Sequence, residues 1–146
     1  MEPPASTLPS TTAMPARVSF TAAAADWPRR NVAVAAVFGA VLILTGLAGL
    51  LLPAGSGPMS NALPYDVFHV VFGLLGAGIA LGRWRTAAAV FNLGFGLIDL
   101  YQAVAGVAGM FPAAAFALRP ADHVVHVVLG GALCACGALG LARRRR

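Results

Sequence analysis

The chain has 146 residues, of which 59% are hydrophobic and 10% charged, with a mean hydropathy of +0.81. A soluble domain carries about a quarter of its residues as charged side chains, so this composition is that of a membrane protein. Lysine is absent, and ten arginines set a formal charge of +5; they flank apolar segments instead of interleaving with exposed aromatics, which argues against a nucleic-acid partner.

Residues 1–30 are rich in Pro, Ala, Ser and Thr without apolar periodicity, which predicts a disordered tail. The early basic cluster and short apolar core of a secretory signal are missing from it. Residues 31–52, from Asn31 at its edge, form an apolar run interrupted only by Thr45, roughly 33 Å as a helix and enough for a hydrocarbon core of roughly 30 Å. Arg29-Arg30 before this run invites a twin-arginine export reading. The following NVAVA lacks the export context, however, and the run is long for a cleaved signal, so an uncleaved first span is expected. The turn formers of LPAGSGPMSNALPY come next. A second span covers 66–82 and ends at Arg83-Trp84-Arg85, a third covers 86–110, and a fourth covers 122–142 before Arg143, Arg144 and two further arginines.

If every span crosses, all arginines except Arg119 fall on one side. The positive-inside rule then places both termini in the cytoplasm of a plasma-membrane protein, with Arg29, Arg30, Arg83, Arg85, Arg143 and Arg144 as topology anchors. Short connections favour antiparallel neighbours, and lipid leaves open sheet edges unpaired. The expected fold is therefore an all-α, up-down four-helix bundle occupying residues 31–142.

PYDVFHVVFG at 64–73 has a near-double in PADHVVHVVLG at 120–130. Ala36-Val37-Phe38 likewise matches Ala89-Val90-Phe91, at an offset of 53 residues against 57 from His69 to His126. This pattern predicts a tandem duplication of a helical hairpin in parallel orientation. In each motif the acid, Asp66 or Asp122, is placed to accept hydrogen bonds from first-turn amides, with His69 or His126 one turn below. Glycines 73, 76, 130 and 131 are expected to admit a neighbouring backbone, and Gly78 with Gly82 fits small-xxx-small packing.

His69 and His126 at matched depths on diagonal helices admit two readings, interfacial packing or a shared ligand such as haem. His123 is expected to face the membrane interface, and Cys134 with Cys136 to be small packing residues. Asp99, near the middle of the third span, is costly in lipid and should turn inward. Asn92, Asp99 and Gln102 share a helical face, and Asp99 is expected to donate to Gln102 or Thr45; the four form a candidate intramembrane polar site. No Walker loop, dinucleotide fingerprint, HExxH, CxxC or nucleophile elbow occurs.

With YDVFHVVFGLLG, ADHVVHVVLGG and AAAVFNLGFGLIDLYQAVAG in view, residues 31–142 resemble the small four-span, mainly actinobacterial membrane proteins of domain-of-unknown-function family 4383. The resemblance implies a fold and a membrane location. It brings no activity, cofactor or catalytic residue. The expectation is a non-enzymatic structural or accessory protein without cofactor or metal, in contact with membrane lipids and with a second copy or a partner membrane protein. The alternatives are a small oligomeric transporter using Asp99 and Gln102, or a haem protein using His69 and His126.

Overall fold

A computed structural model of the protein describes residues 27–53 and 55–143. It contains α1 (Trp27–Leu51), α2 (Leu63–Leu81), α3 (Arg85–Ala108) and α4 (Pro120–Ala142). Each is long and apolar enough to cross a membrane; α2, the shortest at 19 residues, reaches about 28 Å. Both α2 and α4 begin with proline in the first turn, where the missing N–H costs no helical hydrogen bond. Trp27–Arg30, placed in the tail by composition, are helical, and Arg30 lies over the Trp27 ring. The remainder of the tail and Arg144 lie outside the described residues.

The bundle is inverted relative to a soluble one. Val37, Leu44, Leu74, Val104 and Val128 face outward, whereas Asn31, Asp66, His69, Asn92, Asp99, Gln102, Asp122 and His126 are buried. Aliphatic side chains gain little by leaving hydrocarbon for protein, while polar groups gain partners inside.

Adjacent helices run antiparallel and pair as two tight hairpins, α1 with α2 and α3 with α4. Glycine sets the distance in each. A Cβ on Gly39 would stand 2.9 Å from the Gly73 carbonyl, and one on Gly96 would stand 2.7 Å from the Gly130 carbonyl. Gly49 makes room for the Asp66 carboxyl, as Gly106 does for the His123 ring. Phe38 and Phe95 meet edge to face at 5.1 Å where α1 touches α3. Every one of these pairs is related by the same 57 residues, as are the helix ends Leu51 and Ala108 and the starts Leu63 and Pro120. The tandem hairpin repeat therefore runs in one register throughout.

That register corrects the match read at 53 residues. Ala36-Val37-Phe38 and Ala89-Val90-Phe91 are not equivalent, and the counterpart of Phe38 is Phe95. It also makes Tyr65 the counterpart of Asp122, and Asp66 that of His123. Gly73, Gly76 and Gly130 lie against neighbouring backbone or rings as expected, but Gly78 and Gly131 face open space.

Two helix ends differ in an instructive way. After α3, Gly109 adopts the left-handed conformation (φ 66°) and the Met110 N–H donates to the Ala105 carbonyl. After α2, Arg83 and Trp84 donate to the carbonyls of Ala80 and Ile79, and the left-handed position (φ 54°) is held by Arg83. A Cβ there costs roughly 1–2 kcal/mol relative to glycine.

Candidate functional site

Up-down topology gives the bundle an arginine end, with Arg29, Arg30, Arg83, Arg85 and Arg143, and a loop end formed by residues 52–62 and 109–119. Buried polar groups gather in two layers separated by aromatic packing.

The layer nearer the arginine end is built on Asn31. Its Nδ2 donates to the carbonyls of Trp27 (3.0 Å) and Cys136 (3.0 Å), and the Asn92 Nδ2 donates to its backbone carbonyl (3.1 Å) and side-chain oxygen (2.9 Å). These bonds tie α1, α3 and α4 together. Asn92 thus belongs to a different layer from Asp99. Asn31, which stands at the edge of the apolar run, is a residue that the sequence reading passed over.

The loop-end layer is built from α2 and α4, which are diagonal. The Tyr65 hydroxyl and His126 Nε2 are hydrogen-bonded at 2.8 Å. Tyr65 is 1% exposed and His126 4%, so this bond lies within the protein. The His69 ring stacks on Tyr65 at 4.1 Å between centroids, and the Phe116 ring covers Tyr65 at 5.3 Å. Tyr65 therefore fills the space between the two imidazoles, which corrects the arrangement needed for haem between them. Among the described residues no group of three or more His, Cys, Asp or Glu side chains is placed to hold a metal ion.

Asp122 has a clear structural job. Its carboxylate accepts the Arg119 N–H at 2.7 Å and the Ser60 N–H at 3.0 Å, joining the start of α4 to the first loop. The Ser60 hydroxyl donates to the Phe116 carbonyl, and the Arg119 guanidinium donates to the carbonyls of Gly55 and Gly57. Arg119 is thus a strap between loops. Asp66 makes no such cap: α2 begins without a side-chain capping bond, and the carboxyl packs on Gly49. The half-buried His123 ring packs on Gly106 of α3.

Asp99 and Gln102 are 3% and 2% exposed, at and just above the level of Gly130 on α4. No hydrogen bond joins Asp99 to Gln102 or Thr45 among the described residues; Thr45 is half-buried and flanks an outer groove with Ala48 and Met59. The layer retains buried polar atoms without partners: His69 Nδ1, Gln102 Oε1 and His126 Nδ1. Neither tautomer of His126 resolves this. If the phenol donates to Nε2, then Nδ1 carries a proton without an acceptor; if Nε2–H donates, Nδ1 is a bare lone pair. Such atoms are suited to water or a small polar molecule. Cys134, by contrast, approaches the Leu93 carbonyl in the α3–α4 seam and is packing.

No protein family, curated protein or solved structure matches the chain.

Proposed function

We propose that the protein is a non-enzymatic structural or accessory component of the plasma membrane, with both termini cytoplasmic. The observation that carries this reading is the aromatic layer. Phe38, Phe72 and Phe91 pack around Phe95 at 5.1 to 5.8 Å between centroids, between the Asn31–Asn92 pair and the loop-end group. Side chains fill the bundle centre, as in a monomeric four-helix protein that offers no path through itself. The orientation rests on the excess of arginine at one end over Arg119 at the other. Membership of family 4383 forms part of the same proposal, and rests on the Asp66, His69, Asp122 and His126 motifs. An accessory role implies a protein partner, either a second copy or another membrane protein, met through the lipid-facing helix surfaces.

A second reading, proton or solute movement using Asp99 and Gln102, is favoured by the unpartnered atoms of the loop-end layer. Proton flux in proteoliposomes separates the two. The structural reading expects flux equal to that of protein-free vesicles, for the native chain and for Asp99→Asn. A native flux abolished by that substitution would establish transport instead.

A further inference from the structure

We propose that the arginine end holds one anionic phospholipid, its phosphate between Arg29, Arg83 and Arg85 and one acyl chain in the groove between α1 and α4. This goes beyond general contact with lipid, because two neighbouring recesses fit the two halves of such a molecule.

The first is a cleft of about 530 Å³ walled by Arg29, Val32, Ala33, Ala36, Arg83 and Arg85. Its three guanidinium groups come from the first turn of α1 and from the α2–α3 turn, and all are exposed. The acids of the described residues, Asp66, Asp99 and Asp122, all stand beyond the midpoints of their helices toward the loop end. None neutralises the cleft, and guanidinium forks match phosphate oxygens.

The second is an apolar groove of about 440 Å³ between Val34, Val37 and Val41 of α1 and Leu129, Ala132 and Cys136 of α4. Ala33, a small exposed residue, borders both recesses. In the repeat, the seam equivalent to this groove lies between α3 and α2. There the counterparts of Val34 and Leu129 are Phe91 and Phe72, whose rings fill it against Phe95. The groove is open because one copy carries small side chains where the other carries rings.

Arg83 adds an independent sign. Its left-handed backbone is the position that Gly109 fills after α3, so an arginine stands there against its conformational preference. A phospholipid uses both recesses together. A free anion would leave the groove unused, and a second copy would bring another arginine-rich end against this one.

The test uses the chain's only two tryptophans, Trp27 and Trp84, which flank the arginines. The full chain is reconstituted in vesicles with bromine-labelled phosphatidylglycerol or phosphatidylcholine, which quench adjacent indoles, at about 0.15 M salt. The proposal expects preferential quenching by phosphatidylglycerol. Arg83→Gly should reduce that preference about fivefold without lowering the unfolding temperature, since glycine suits the turn. Ala33→Phe, which alters no charge, should reduce it as well by obstructing passage between cleft and groove. Inorganic phosphate should leave the quenching unchanged. Equal quenching by the two lipids, a preference that survives either substitution, or displacement by phosphate alone would overturn the proposal.

Discussion

Phe38, Gly39, Gly49, His69 and Gly73 of the first hairpin recur as Phe95, Gly96, Gly106, His126 and Gly130 of the second, whereas Ala35, Leu42 and Thr45 give way to Asn92, Asp99 and Gln102. The recurring residues are mostly those that backbone approach demands: Gly39 meets Gly73 as Gly96 meets Gly130, and Phe38 with Phe95 forms the contact that relates the copies to each other. At two of the three differing sites, Ala35 against Asn92 and Leu42 against Asp99, a polar group is placed in one copy only. Leu42 and Asp99 occupy equivalent, equally buried sites, so hairpin packing at that place is satisfied by an aliphatic side chain. Asn92 joins the hairpins, whereas Asp99 has no hydrogen-bond partner among the described residues. The first is explained by assembly of the bundle; the second is not explained by hairpin packing, which Leu42 satisfies at the equivalent site.

This contrast can be broken most sharply at the glycines. Gly73→Ala and Gly130→Ala each press a Cβ to within 2.8 Å of the facing helix carbonyl, and each should cost about 2–3 kcal/mol in a detergent unfolding titration. Gly78→Ala and Gly131→Ala face open space and should be neutral or slightly stabilising. If the two seam substitutions differ widely, the copies are not packed alike. Next in size, Tyr65→Phe strips a buried imidazole of its partner and should cost about 1.5 kcal/mol in the same titration. Asn92→Ala restores the first hairpin's residue and should cost about 1 kcal/mol, because Asn31 loses two donor contacts. Smallest of all, Asp99→Leu, again borrowing from the first copy, should change stability by under about 0.5 kcal/mol or raise it, since an unpartnered carboxyl is removed from a low-dielectric interior. A large loss at Asp99 would make it a structural residue.

The four spans, their antiparallel order and the arginine end were legible because each rests on a strong physical requirement: hydrocarbon thickness, proline at helix starts, and charge kept out of lipid. The register was not. An alphabet dominated by Ala, Val, Gly and Leu produces chance matches such as Ala36-Val37-Phe38 with Ala89-Val90-Phe91, while the true equivalence is carried by single glycines contacting across helices. Tyr65 was missed because it follows Pro64 and reads as loop. Its signal is spacing: Tyr65 precedes His69 by four residues, as Asp122 precedes His126, which places each pair on one helical face. Asn31 was missed because a polar residue at the edge of an apolar run reads as a boundary, and only the folded chain brings Asn92 and the Cys136 carbonyl to it. Inwardness of Asp99 and Gln102 was readable from the cost of polar groups in lipid, but their separation from Asn92 and Thr45 depends on which neighbour each face meets.

At the centre of this account, two like hairpins are locked together by side chains reaching across the bundle, most directly Tyr65 to His126. A double-mutant cycle measures that contact alone: Tyr65→Phe, His126→Leu and the combination, unfolded reversibly in mixed micelles. A coupling energy of about 1 kcal/mol is expected, whereas single-mutant effects that simply add would contradict the Tyr65–His126 lock.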